Sequence, residues 1–171
     1  KQHLTPDHFE NEPVSEPVDE SCFEVVDAFI EEFGDDRYII GPCGHEVGIV
    51  LLGGDFTEGG GGFAHGLMQY HDNPETVRAA YRYEVKNNNM LDHQYIRPGQ
   101  DAAMFGHQDF ASTHGPFISP EMFREFALPA IKERVANVHD EFCMPVFKHA
   151  CGNNNKLLDM FVEAGYDVYQ S

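Results

Sequence analysis

Hydrophobic and polar positions along the chain follow two alternating rhythms. Short apolar runs that stop at glycine or a polar cluster read as buried strands; apolar residues recurring every three or four positions read as helices. Ser21-Cys-Phe-Glu24 has the form of a capping box. Phe23, Val26, Phe29, Ile30 and Phe33 follow at helical spacing up to Gly34, which predicts a helix over about 20–33. Arg37-Tyr-Ile-Ile-Gly41 reads as a short buried strand. Residues 47–52 and the glycines at 53–54 and 59–62 predict an irregular loop with at most one helical turn. Asn73-Pro-Glu75 opens a helix that Val77, Ala80, Tyr81, Met90, Leu91 and Tyr95 carry to about 96, across a middle weakened by Asn87-Asn-Asn89. A second strand follows over 101–106. Ser119-Pro-Glu121 starts another helix, expected to kink at Pro129 and to resume through Ile131, Val135 and Val138. Residues 144–147 form the third strand, Leu157, Leu158, Phe161 and Val162 a helix ended by Gly165, and residues 166–169 the fourth strand.

Strands that alternate with helices call for a parallel sheet with helical crossovers, either an open doubly wound sheet or a (β/α) barrel. No Gly-x-Gly-x-x-Gly turn follows any strand, and polar groups gather at the ends of several different strands, which favours the barrel. The expected class is therefore α/β. Four strand–helix units are about half of a (β/α)8 TIM barrel of ~250 residues and should not close by themselves. Residues 1–19, broken by Pro6, Pro13 and Pro17 among five acidic side chains, are expected to be an extended acidic lead-in, with residues 20–171 as the partial barrel domain.

A formal charge of -18 changes the picture of partners: its field repels phosphate, so nucleic acid and anionic lipid surfaces are not expected to bind. No apolar run approaches the ~20 residues of a membrane helix. Cys22, Cys43, Cys143 and Cys151 have no close pairing spacing and are expected to be reduced thiols of a cytoplasmic protein. A start at Lys1 and an end at Ser171 directly after a strand are those expected of a piece of a longer chain.

Candidate chemistry concentrates at strand ends. His149-x-Cys151 offers an imidazole and a thiolate, ligands that zinc prefers, although such a pair taken alone is more often a buried thiol beside a hydrogen-bonded histidine. Cys43-x-His45 could approach it in space or be core and rim residues. His107, Asp109 and His114 follow the second strand, where an Asp beside a His can serve as a base or hold a ligand, or where Asp109 simply caps the following loop. His45-Glu46 is a third polar pair with a solvated loop as its alternative. The Gly59–Gly62 run lacks the following helix with Lys and Ser/Thr that phosphate cradling requires, and is expected to be a mobile loop.

The stretches Gly115-Pro-Phe-Ile-Ser-Pro-Glu-Met-Phe-Arg-Glu-Phe-Ala-Leu-Pro129, Pro145-Val-Phe-Lys-His-Ala-Cys-Gly-Asn153 and Leu157-Leu-Asp-Met-Phe-Val-Glu-Ala-Gly-Tyr-Asp167 resemble the uroporphyrinogen decarboxylase superfamily, which also contains the cobalamin-dependent methyltransferases. The likeness runs from about Arg37 to Ser171, and Asp72-Asn-Pro-Glu-Thr-Val77 fits the family's usual helix start. It implies a (β/α)8 barrel of which this chain holds roughly the third to the sixth strand. Decarboxylases of the superfamily use an Asp and Arg residues from early strands, and their counterpart of the 144–152 strand usually lacks His-x-Cys. The methyltransferase branch carries that motif together with a later Cys, and binds zinc that activates a thiol acceptor.

His149 and Cys151 match the motif; the later Cys would lie beyond Ser171. The resemblance thus implies a zinc-dependent methyltransferase that moves a methyl group between a corrinoid protein carrying methylcobalamin and a thiol or similar small-molecule acceptor. On that reading His149 and Cys151 are metal ligands. Asp109 and His107 are catalytic at the rim, and His45, Glu46 and Ser112 bind substrate; a homodimer is left open. The rival expectations are a tetrapyrrole decarboxylase and a non-catalytic barrel subunit.

Overall fold

A computed structural model describes residues 4–53, 61–106 and 108–171. Four parallel strands form one sheet: β1 (Ile40–Gly41), β2 (Ala102–Phe105), β5 (Val146–His149) and β6 (Val168–Gln170), in the spatial order β1-β2-β5-β6. Neighbours in space are successive in the chain. The parallel sheet is the one the strand–helix alternation predicted, and its order contains none of the reversals of a doubly wound sheet. Each strand begins one to three residues later than its apolar run suggested, so β5 ends on His149 itself. A small antiparallel pair, β3 (Ala111–Ser112) with β4 (Gly115–Pro116), lies between β2 and the next helix and was not foreseen.

One face of the sheet carries the core. Register pairs Ala103 with Val146 and Phe105 with Lys148, and all four side chains are fully buried beneath α4 (Pro74–Tyr95), α6 (Leu128–Phe142) and α7 (Leu158–Ala164). Val77, Ala80 and Tyr81 of α4, Ile131, Val135 and Val138 of α6, and Phe161 of α7 supply the apolar partners, as their three-to-four spacing predicted; Met160 joins them unforeseen, while Leu158 and Val162 are exposed. The opposite face carries Met104, Phe147, His149, Val168 and Gln170 and is only partly covered.

Several local expectations change. Residues 6–10 form a helix, α1 (Pro6–Glu10), and the lead-in is strapped along α4 rather than merely extended. Glu10 pairs with Arg82 at 3.1 Å, Tyr83 donates to the Pro13 carbonyl, the Ser15 amide donates to Asn87, and Gln94 exchanges two hydrogen bonds with Val18. The three asparagines do not weaken α4: Asn88 donates to Glu84 and Asn89 accepts from Arg134, so each meets a partner. At the predicted capping box the Asp19 carboxylate caps instead, accepting from the Ser21 amide at the start of the 3-10 turn (Glu20–Phe23) that leads into α2 (Glu24–Phe33).

The last two glycines of the expected loop open a helix that had no prediction beyond them, α3 (Gly61–Asp72), where Gly66 lets the helix lie directly on Leu51. The rest of the glycine run falls outside the described residues. Ser119 caps α5 (Pro120–Met122) as predicted. Ahead of Pro129 a π turn (Phe123–Ala127) precedes α6, its last amide, that of Leu128, reaching back five residues to Phe123. A proline that removes one N–H and crowds the carbonyl four residues earlier is accommodated by this wider turn. Among the described residues no helix is long and apolar enough to cross a membrane.

Candidate metal and acceptor site

His149 is the last residue of β5 and Cys151 the second beyond it, and the strand's pleat turns both toward the open face. Cys151 Sγ lies 3.4 Å from His149 Nε2. On the other side of the ring, His149 Nδ1 is 2.5 Å from Gln170 Oε1, because β6 pairs in parallel with β5 and brings Gln170 opposite His149. An amide oxygen only accepts, so Nδ1 carries the proton and the Nε2 lone pair faces the sulfur. Gln170 thereby fixes both the tautomer and the ring orientation, as partners of metal-bound histidines do. Sequence inspection missed Gln170, since nothing marks it until the register of β6 is known.

The two donors are of the kinds zinc takes. With Zn–S near 2.3 Å and Zn–N near 2.05 Å, a tetrahedral centre separates its sulfur and nitrogen ligands by about 3.6 Å, close to the distance found. Among the described residues no group of three or more His, Cys, Asp and Glu side chains converges.

The turn carrying Cys151 is held from several sides. Its amide donates to Asp109 Oδ1 at 2.7 Å, the Asn153 amide donates to the Ser112 carbonyl at 2.8 Å, and Asn154 Nδ2 reaches the carbonyls of residues 150–152. Gly152 has φ 86, and a Cβ there would lie 2.2 Å from the Ala111 carbonyl oxygen. Only glycine lets the turn lie against β3 in this conformation.

The other predicted residues separate. Asp109 is brought to the site, where it holds the backbone of Cys151. His107 lies outside the described residues. Ser112 sits in the β3–β4 hairpin, its hydroxyl donating to the Gly115 carbonyl and accepting from the His114 amide, so its side chain serves the turn and its carbonyl serves Asn153. His45 is exposed, with Tyr95 beside it at 6.3 Å between ring centroids. Cys43 proves to be a core residue: burial pushes its thiol pKa up, and it donates to the Met104 carbonyl.

Glu46 is more enclosed than a solvated loop residue. It is 2% exposed, bonded to Lys148 Nζ at 2.6 Å and accepting from the Tyr166 hydroxyl, and with His45 and Gln108 it borders a cavity. A carboxylate so far from water is tolerated only where a cation and donors meet it. Burial pushes Glu46 up to about 7 against the opposing pull of Lys148, and burial also lowers Lys148.

Comparison with known proteins bears on the fold and the family. The fold is similar to that of a methyltransferase from Methanosarcina mazei, with a TM-score of 0.61 and 16% sequence identity over 99% of this chain and 48% of that one. The chain therefore spans about half the length of that protein, and at this identity the likeness is one of fold. No curated protein sequence matches the chain. The family model for uroporphyrinogen decarboxylase (URO-D) matches residues 2–171, practically the full sequence, and the chain belongs to that family.

Proposed function

We propose that this chain is part of a zinc-dependent methyltransferase acting between a corrinoid protein and a thiol or similar small-molecule acceptor, with its four strands forming part of a (β/α)8 barrel. The observation that carries the reading is the convergence of His149 Nε2 and Cys151 Sγ at 3.4 Å, with His149 oriented by Gln170. Zinc bound there would convert the acceptor's thiol, with an ordinary pKa near 8.5, into the thiolate that attacks a methyl group.

This chain's own residues do the holding. His149 and Cys151 supply two ligands, Gln170 keeps the Nδ1 proton away from the metal side, and Asp109 fixes the Cys151 backbone beside the position an acceptor would occupy. The partly covered face bearing Met104, Phe147 and Val168 provides apolar walls next to these ligands.

Metal content of the full-length protein measured by plasma emission tests the proposal. His149→Ala combined with Cys151→Ala should abolish bound zinc and chelator-sensitive methyl transfer from a methylated corrinoid to a thiol; unchanged zinc content refutes the ligand assignment. The family match also favours a rival, decarboxylation of a tetrapyrrole. That reading leaves the His149–Cys151 pair without a role, and it prevails if porphyrinogen is turned over equally with and without chelator.

A further inference from the structure

Lys148 lies between Phe147 and His149 on β5 but points the other way, into the core, where it is 0% exposed. Its ammonium has three protons and meets three acceptors: Glu46 Oε2 at 2.6 Å, the Gln108 carbonyl at 2.8 Å and the His149 carbonyl at 2.6 Å. The Phe110 ring lies 4.7 Å from Nζ and closes the pocket. These acceptors belong to three separate segments: the stretch after β1, the loop after β2, and the end of β5. Glu46 is anchored in turn by the Tyr166 hydroxyl ahead of β6. One buried cation therefore ties together the segments that follow β1 and β2 and the end of β5, and through Glu46 it is linked to Tyr166 ahead of β6.

We propose that Lys148 is the positioning residue of the candidate metal site. By holding the Gln108 carbonyl it sets the direction in which Asp109 leaves the loop, and Asp109 receives the Cys151 amide. By holding the His149 carbonyl it sets the peptide plane between the two ligands. The two strand ends that carry the imidazole, thiol and carboxylate thus share one anchor behind the sheet. An apolar residue could fill the space but could not orient two carbonyls. Glu46 provides the counter-charge without which the ammonium would be stranded in the core.

The test pairs Lys148→Met with Glu46→Leu, which removes both charges together and leaves neither buried alone. Val138→Ala, a core truncation in α6, serves as the reference for general loosening. In amide hydrogen exchange on the full-length protein, Ala150, Cys151 and Asn153 should exchange about tenfold faster in the double variant than in Val138→Ala, with far-UV circular dichroism unchanged. Exchange at these amides no faster than in Val138→Ala overturns the proposal.

A second arm rests on the zinc reading above. Competition with a chromophoric chelator should show zinc held 10–100-fold more weakly by the double variant and unchanged by Val138→Ala. Equal zinc affinity in the double variant and the wild type overturns the positioning role. If the wild-type protein takes up no zinc, the methyltransferase reading fails, and the exchange arm alone decides about Lys148. Should the double variant not fold, Tyr166→Phe, which releases only Glu46, must quicken exchange at the same three amides; unchanged exchange there counts against the proposal.

Discussion

Gly152→Ala is the substitution for which the structure gives the most definite outcome. Gly152 has φ 86, and an added methyl would sit 2.2 Å from the Ala111 carbonyl oxygen and 3.0 Å from that of Ser112, both backbone atoms that cannot rotate away. The left-handed conformation costs an L-residue about 1–2 kcal/mol. Relief of the clash requires the turn to withdraw by about 1 Å, and overpacking of this kind costs about 1–3 kcal/mol. That withdrawal stretches the Cys151–Asp109 and Asn153–Ser112 hydrogen bonds, each contributing about 1 kcal/mol. Partial relaxation makes these contributions less than additive, and a loss of about 3–5 kcal/mol is expected. Gly115→Ala is the control, since Gly115 also has positive φ, 143, but nothing lies within 4 Å of a Cβ built there. It should lose the backbone contribution alone, about 1–3 kcal/mol for a conformation so restricted to glycine. Urea denaturation of both variants measures the difference. Equal losses, or a loss under about 1 kcal/mol for Gly152→Ala, would refute the close approach of the turn to β3.

The second buried ion pair gives another expectation. Asp92 and Arg134 are both 0% exposed, and the Asp92 carboxylate also receives Asn137 and the Gly44 amide, so Arg134→Met should cost about 3–5 kcal/mol by stranding it. Adding Asp92→Leu should recover at least half of that loss in the same denaturation assay; no recovery rejects the uncompensated charge as its cause. A pH dependence follows from Glu46, whose folded pKa of about 7 lies above the ordinary 4.5. The folded protein binds a proton there that the unfolded chain has released, so this group's contribution to stability falls as pH rises from 4.5 to about 7. Glu46→Gln should flatten that slope in thermal melts recorded across the window, and an unaltered slope assigns it to other groups. Gln170→Leu should leave the melting temperature nearly unchanged while weakening zinc binding by about tenfold, and unchanged affinity removes Gln170 from the ring's orientation.

Strands and helices were legible because their apolar runs and their Gly, Pro and Asn boundaries are local. The His149-x-Cys151 pair was legible for the same reason: two residues apart on a strand already means one face. Gln170 and Lys148, and the partners that Glu46 and Asp109 meet, escaped inspection because distant pairing sets them. Lys148 and Glu46 are 102 positions apart in the chain, and a charged residue met alone reads as a solvated one. Gln170 acquires meaning only from the register of β6 against β5, and Asp109 only from a contact across 42 positions. Helix α3 was hidden by its glycines, which suggest a loop until Gly66 is seen lying on Leu51. The lead-in was misjudged because its composition is polar, whereas its hydrogen bonds go to amide side chains of α4 that sequence alone leaves without assigned partners.

The π turn at Phe123–Ala127 carries a consequence for insertions and deletions. Each residue of a helix turns its neighbours by about 100°, and a five-residue turn holds roughly one residue more than the helix on either side of it. That extra residue sets the phase between the Ser119-capped end and α6. It lets Phe123 reach Phe110 and Phe161, at 5.3 and 6.1 Å between ring centroids, while Ile131 and Val135 still face the sheet. Deleting one residue from this turn would restore regular winding and swing Phe123 about a quarter-turn out of the aromatic cluster. Length at this point of the chain is therefore as constrained as the identity of any side chain in it.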